Sequence, residues 1–141
     1  LDDAIITAAE RIRQFIEAFN KGDGKTAAAT HVQGDVAIVD EVAPHLWRGP
    51  GAFNAWSKDL GHEAETRGQT ENFVALGEPT RQVLSGKSAY VVVPTVYTYK
   101  ERGVAMREAA QMTFVLQEEA GAWKILSWTW TGPDPQPVSA K

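Results

Sequence analysis

Residues 36–56, VAIVDEVAPHLWRGPGAFNAW, decide the predicted fold because they combine a strand, a corner and the start of a helix. β-branched residues dominate the first part, which favours a short, well-buried strand over residues 35–42. Asp40 stands near the end of that strand, and residues 44–49 follow as a turn or small hairpin. We therefore expect a carboxylate at the point where a buried strand leaves the core.

Helices are predicted on both sides of this strand. Apolar residues at three- and four-residue spacing predict a first, amphipathic helix that ends near Asn20: Ile5, Ala8, Ala9, Ile12, Phe15, Ile16 and Phe19. A short alanine-rich helix follows over residues 25–31. After the corner, Pro50 can occupy a first helical turn without losing a hydrogen bond. This predicts a third helix over residues 52–60, which Gly61 ends.

The second half of the chain has the pattern of long strands separated by turns. Glycine-bearing turns divide it into aromatic and β-branched segments, which predict a four-stranded antiparallel meander over residues 70–84, 88–99, 104–117 and 123–131. Pro94 lies inside the second of these strands and predicts a bulge where the sheet curves. Three prolines in residues 133–141 predict a tail that cannot continue the sheet.

Length and composition predict one globular domain, residues 1–132, followed by the proline-rich tail. The net charge is −4 and the basic residues are scattered, which argues against nucleic acid or an anionic membrane as a partner. No apolar run approaches the roughly 20 residues that span a bilayer. Because the chain starts at Leu1 rather than Met, an initiator or leader is expected to have been removed. We expect a soluble protein in the cytoplasm rather than an exported one.

Several kinds of catalytic site are not indicated. The chain has no cysteine, which excludes a disulfide, a thiolate nucleophile and a cysteine-ligated metal. His31, His45 and His62 lack metal-ligand spacing, no serine stands in a Gly-x-Ser-x-Gly elbow, and no phosphate-binding glycine loop occurs. We therefore expect neither a metal nor a cofactor.

The order of these elements resembles the cone-shaped α+β fold of the nuclear transport factor 2-like superfamily, which includes ketosteroid isomerase and the SnoaL-like polyketide cyclases. Local matches are FNKGD at residues 19–23, WRG at 47–49, MTFVLQ at 112–117 and GAWKI at 121–125. The resemblance covers nearly the whole chain. It implies a curved antiparallel sheet wrapped around three N-terminal helices and enclosing a pocket.

The resemblance also implies a role for Asp40, which takes the place of the isomerase's general base. That isomerase pairs its base with an oxyanion hole made by a tyrosine and a protonated aspartate. The corresponding positions here are Phe15 and Met112, which cannot donate a hydrogen bond. Because losing even one such donor costs about 2.7–4 kcal/mol of transition-state stabilisation, steroid isomerisation of that kind is not expected.

Two interpretations of the candidate site residues remain open. Asp40 is either a general base whose pKa is raised by burial or a strand-end residue that hydrogen-bonds the following backbone. The aromatic residues either line a ligand pocket or fill the core, and the corner residues either gate the pocket or are solvated. The predicted ligand-binding set is Phe15, Phe19, His45, Arg48, Trp56, Tyr97, Tyr99, Met112, Phe114, Trp128 and Trp130. Within it, Tyr97 and Tyr99 are candidate replacements for the missing donors.

The sequence thus predicts a protein that binds a small hydrophobic or aromatic molecule. If it is an enzyme, Asp40 would act as general base in a cofactor-free isomerase, cyclase or dehydratase. The alternative is a non-catalytic ligand-binding or dimerisation module of the same fold. A homodimer is expected through the outer face of the sheet, which carries Val92, Val96, Thr113 and Val115.

Overall fold

A computed structural model describes residues 6–138 of the chain. The helices in this range are α1 (Ala8–Asn20), α2 (Gly24–Ala29) and α3 (Ala52–Arg67). The strands are β1 (Val36–Val39), β2 (Leu46–Gly49), β3 (Gln69–Leu76), β4 (Arg81–Ser85), β5 (Ser88–Glu101), β6 (Val104–Glu119), β7 (Ala122–Thr131) and β8 (Gln136–Pro137). The predicted α+β class and cone-shaped sheet are confirmed.

Helix α1 forms where the apolar spacing predicts it. Thr7 and Glu10 cap its start reciprocally, each side chain bonding the backbone N–H of the other. Its buried face carries Ile12, Phe15 and Ile16, whereas Ile5 of the predicted helix lies outside the described residues. Asn20 exchanges two hydrogen bonds with the backbone of Val74, at 2.8 and 2.9 Å, so the end of α1 is attached to β3.

The strands form one curved sheet in the order β2-β1-β7-β6-β5-β3, with β4 beside β3 on the edge of β5 and β8 on β6. The predicted sheet was wholly antiparallel, but β1 pairs with β7 in parallel. A hairpin forces neighbouring strands to run antiparallel, and β1 and β7 are distant in sequence and joined by no hairpin. Nothing local therefore opposes the parallel pairing.

Bulges bend the sheet at places other than the predicted one. The register shifts between Thr70 and Phe73 in β3 and between Val115 and Leu116 in β6, but it stays continuous through Pro94. The Pro94 carbonyl accepts a hydrogen bond from the Gly77 N–H at 2.9 Å, so this residue directs its backbone polar groups away from β6. The missing proline N–H faces the gap between β3 and β4 and removes no bond from the β5–β6 ladder.

Three predicted boundaries are wrong. The first meander strand is split into β3 and β4 by a turn that begins at Gly77. Helix α3 continues past Gly61 to Arg67, because one exposed glycine costs a helix only about 1 kcal/mol. The tail does continue the sheet, since Gln136–Pro137 pairs with Met106 and Arg107 at the edge of β6. A proline is tolerated there because an edge strand can leave one N–H side unpaired.

The core fills the space between the helices and the concave face of the sheet. Phe15 lies at its centre, with its ring centroid 5.7 Å from Trp128, 6.1 Å from Phe53 and 6.4 Å from Phe114. No helix within residues 6–138 is long and apolar enough to cross a membrane.

Gly61 inside α3 and Gly68 just after it provide a test of where this helix ends. Gly61 is exposed in the helix interior, and a Cβ at this position would meet no atom within 4 Å, so Gly61→Ala should raise the free energy of unfolding by about 1 kcal/mol. Gly68 ends the helix at φ 66°, and a Cβ there would lie 3.0 Å from Arg102 Cγ. Gly68→Ala should therefore lower the free energy of unfolding by about 1–2 kcal/mol.

Urea unfolding of both variants measures the difference. If both substitutions changed the free energy of unfolding in the same direction, the result would contradict a helix that passes Gly61 and ends at Gly68.

Candidate functional site

A cavity of about 220 Å³ lies between α1, α3 and the concave face of the sheet. Most of the predicted site residues line it: Phe15, Phe19, Asp40, Trp56, Tyr97, Tyr99, Met112, Trp128 and Trp130. Phe15 and Met112 stand where the resemblance implies hydrogen-bond donors, and both present apolar side chains. Aromatic side chains are thus prominent in the cavity wall, beside charged and polar ones such as Glu63, Arg67 and Gln69.

Three predicted residues are not among those that line the cavity. His45 is exposed at the β1–β2 hairpin, where a ring nitrogen lies 3.2 Å from the Asp40 carbonyl oxygen. Arg48 is exposed on β2, the edge strand beside β1. Phe114 is fully buried against Phe15 in the core. The hairpin points His45 and Arg48 to solvent, and α1 covers Phe114.

Asp40 is held at the end of β1 by hydrogen bonds to both carboxylate oxygens. The Trp56 indole N–H donates to Oδ2 at 2.7 Å, and the Glu41 backbone N–H donates to Oδ1 at 2.7 Å. Burial raises the pKa of Asp40, while these two donors oppose the rise by stabilising the charged form. The Asp40 side chain thus bonds the following backbone, as expected of a strand-end residue. It also faces the cavity, as a general base must.

Glu41 and Glu108 form a second acidic feature beside Asp40. Glu108 is 1% exposed on β6, and its Oε2 accepts a hydrogen bond from the Trp130 indole at 3.0 Å. Its Oε1 receives none from a nitrogen or hydroxyl donor within residues 6–138. The neighbouring group is the Glu41 carboxyl, which lines the cavity and is within hydrogen-bonding reach of Glu108.

Two carboxyl groups can hydrogen-bond to each other only when one of them carries a proton. Burial, followed by the contact with Glu108, raises the pKa of Glu41 to about 8. The residue as a whole is exposed at the strand end, but its carboxyl lies against a buried one. Glu41 therefore keeps its proton at neutral pH.

Tyr97 presents a hydroxyl group to the cavity. The Asn72 side-chain amide donates a hydrogen bond to this oxygen, so the contact leaves the phenol's own proton uncommitted. Burial raises the pKa of Tyr97 to about 12, so the hydroxyl stays protonated at neutral pH. Asn72 lies in the bulge of β3, next to Glu71 at φ 56°, and bulges commonly redirect a side chain in this way.

His31 lies beneath the cavity and anchors one of its rings. The Trp128 indole N–H donates to His31 Nε2 at 3.2 Å, so Nδ1 carries the ring proton and donates to the Ala27 carbonyl at 3.0 Å. Burial lowers the pKa of His31 to about 4, which keeps the ring neutral. Within residues 6–138, no group of three or more His, Asp or Glu side chains is placed to hold a metal ion.

Comparison with known proteins gives matches at the level of structure. Neither a protein-family model nor a curated protein matches the sequence. A ketosteroid isomerase-like protein from Erwinia carotovora atroseptica SCRI1043 has a TM-score of 0.75 at 21% identity, covering 96% of this chain and 100% of the other. The hexachlorocyclohexane dehydrochlorinase LinA-type3 from Novosphingobium barchaimii LL02 has a TM-score of 0.77 at 12% identity, covering 95% and 92%.

A nuclear transport factor 2-like superfamily protein from Salmonella enterica serovar Typhimurium LT2 has a TM-score of 0.71 at 14% identity, covering 94% and 92%. This chain has the nuclear transport factor 2-like fold. The resemblance noted from the sequence is therefore confirmed for the fold. Identities this low carry no information about the reaction, because one fold supports many functions.

Within this nuclear transport factor 2-like fold, sequence reasoning missed the Glu41–Glu108 pair. One signal was present in the sequence. Glu108 is an even number of residues from Met112 and Phe114 along β6, so it lies on the same inward face. A charged residue at an inward position indicates a partner or a function. Glu41 gave no such signal, since its approach to Glu108 depends on how the β1–β2 hairpin meets β6.

The raised pKa of Glu41 makes stability depend on pH in a definite direction. Between the ordinary pKa of a glutamate, 4.5, and about 8, the folded protein binds more protons at Glu41 than the unfolded chain does. The contribution of Glu41 to the free energy of unfolding therefore falls as pH rises through that window. Glu108→Gln removes a neighbouring carboxyl that helps to raise the pKa of Glu41, so the free energy of unfolding should fall less steeply.

Urea unfolding at about pH 5 and about pH 8 measures this slope. Glu65→Gln, on the exposed face of α3, is the matched control and should keep the native slope. An unchanged slope in Glu108→Gln would show that Glu108 does not raise the pKa of Glu41.

Proposed function

We propose that the cavity binds a small hydrophobic or aromatic molecule and that Asp40 removes a proton from it. The observation that carries this proposal is the Asp40 carboxylate itself, which faces an aromatic cavity and is fixed by the Trp56 indole at 2.7 Å. A general base works best when its pKa approaches the working pH, and burial moves the pKa of Asp40 in that direction.

The surroundings of Asp40 support proton transfer without a cofactor. Trp56 and Trp128 meet edge to face, 4.9 Å between centroids, and both rings line the cavity beside the carboxylate. Such rings orient a flat substrate and exclude water from the base. The Tyr97 hydroxyl, positioned by Asn72, is available to hydrogen-bond a substrate oxygen or nitrogen. The reaction class that fits is isomerisation, cyclisation or elimination.

Two of the structural neighbours bear names consistent with this class. One is called ketosteroid isomerase-like, and another is a dehydrochlorinase, an enzyme whose reaction removes a proton together with chloride. Their likeness is one of fold, so the support they give is secondary to the geometry around Asp40.

A non-catalytic binding module is the second candidate, and one observation favours it. Both oxygens of Asp40 already accept hydrogen bonds from the protein. A carboxylate satisfied in this way serves equally well to attach α3 to the end of β1. The cavity would then bind a ligand without changing it.

Asp40→Asn separates the two candidates. The amide keeps the shape and can still accept from the Trp56 indole, but it cannot take a proton. We expect the protein-catalysed exchange of substrate C–H protons with D₂O to fall about 10²- to 10⁴-fold, measured by NMR over a panel of aromatic ketones and imines. The folded structure and the binding of neutral ketones should remain.

Asp35→Asn is the matched control, because Asp35 is exposed at the start of β1. It should exchange protons at the native rate. Native exchange rates in Asp40→Asn would remove Asp40 as the base and leave the binding module.

We also propose that the protein forms a homodimer through the outer face of the sheet. Val92, Val96, Thr113 and Val115 are half-buried there and leave an apolar strip on β5 and β6. Sedimentation velocity over a range of concentrations tests this, and a monomer throughout would reject it.

A further inference from the structure

We propose that the molecule bound in this cavity is an organic cation, a protonated amine or an iminium group carried on a flat apolar body. This rests on the proposed function, since it names the substrate class of the Asp40 site. Four features support it: the charge around the cavity, a buried carboxyl oxygen without a donor, the orientation of the aromatic rings, and the chemistry of proton removal.

The first feature is an excess of acidic groups. The residues that line the cavity include four carboxyl side chains, Asp40, Glu41, Glu63 and Asp134, and one cationic side chain, Arg67. Even with one proton on the Glu41–Glu108 pair, the negative charges outnumber the positive one. In a partly desolvated cavity an anionic ligand would be repelled, whereas a cation would be attracted.

The second feature is the carboxyl group of Glu108. Its Oε1 is buried and has no nitrogen or hydroxyl donor among the described residues. Its neighbour is Glu41, whose carboxyl lines the cavity. A cationic group bound beside Glu41 would supply the positive charge that a buried carboxyl without a donor lacks.

The third feature is the way in which the aromatic rings are turned. The indole N–H groups of Trp56 and Trp130 point to Asp40 and Glu108, at 2.7 and 3.0 Å. An indole N–H lies in the plane of its ring, so each carboxylate meets a ring edge and not a ring face. Tyr97 adds a third ring, 5.8 Å from Trp130 and nearly perpendicular to it. Ring faces within about 6 Å of a cation attract it.

The fourth feature is the chemistry of the proton transfer. Removing a proton next to a neutral carbonyl creates an oxyanion, which needs donors; Tyr97 offers one, but the positions of Phe15 and Met112 offer none. Removing a proton next to an iminium group creates no anion. The C–H bond breaks, its electron pair forms a carbon–carbon double bond, the nitrogen becomes neutral, and the proton passes to Asp40. An acidic cavity favours the second course.

Phenyltrimethylammonium and tert-butylbenzene test the ligand class, because they have the same shape and differ in charge. Isothermal titration of the native protein should show the ammonium ion binding about 5- to 30-fold more tightly. Equal or tighter binding of tert-butylbenzene would overturn the proposal.

A double variant, Asp40→Asn with Glu41→Gln, should bring the affinity ratio near one, because it removes two carboxyl groups from the cavity lining. The matched control, Asp35→Asn with Glu65→Gln, removes two carboxylates from exposed positions and should keep the native ratio. A native ratio in the first variant would overturn the proposal, since the attraction would then not come from the cavity.

The indole N–H signals in NMR locate the bound ion without any variant. The signals of Trp56 and Trp130 should shift on adding phenyltrimethylammonium, and that of Trp47 should not, because Trp47 donates to Asp59 and does not line the cavity. A shift confined to Trp47 would overturn the proposal even if the double variant failed to fold.

The two proposals fail in different ways. A protein that prefers the ammonium ion but exchanges no substrate proton would lose the proposed catalysis and keep the ligand class. A protein that exchanges protons of neutral ketones and does not prefer the ammonium ion would keep catalysis and lose the ligand class.

Discussion

The hydrogen bond from the Trp56 indole to Asp40, 2.7 Å long, attaches α3 to the end of β1, and the geometry of the cavity depends on it. The same indole ring packs against Phe19, Phe53 and Trp128, with centroid distances of 6.0, 5.5 and 4.9 Å. One side chain therefore fixes the carboxylate and joins α1, α3 and β7 around it. A carboxylate held by a rigid ring keeps one direction, which binding or catalysis at this position requires.

The cone places three carboxyl groups close together, and the protein stabilises them in two ways. Asp40 is stabilised by donors, an indole and a backbone N–H. Glu108 accepts from the Trp130 indole, and its neighbour Glu41 is kept protonated by burial and by Glu108. Burying charge without such stabilisation would cost several kcal/mol per group. This clustering of carboxyl groups is one reason to propose a ligand for the cavity.

The sequence predicts the larger elements of this fold because their signals are local. The apolar spacing of α1 and the glycine-bearing turns of the meander need no tertiary information. The prediction that α3 ends at Gly61 was wrong, because the free-energy cost of one exposed glycine is small compared with the packing of Phe53 and Trp56 on the same helix. The bulge predicted at Pro94 is not present, because the effect of a proline depends on which neighbouring strand its backbone faces.

The candidate site is predictable to the extent that it follows from the fold. The resemblance carried Asp40 and the aromatic residues to the cavity, since these positions are set by strand order and alternation. His45 and Arg48 were predicted from their place in the corner and do not line the cavity, because their directions depend on the conformation of a short hairpin. The Glu41–Glu108 pair arises from a contact between the corner and β6, which no local pattern encodes.

The central claim is that Asp40 is a buried carboxylate held by Trp56, and its own titration tests this most directly. The carboxyl carbon of Asp40, followed by ¹³C NMR over pH, should titrate above the ordinary pKa of an aspartate, because burial outweighs its two donors. Trp56→Phe removes one donor and should move the midpoint higher still. A midpoint at or below the ordinary value, unmoved by Trp56→Phe, would contradict this account.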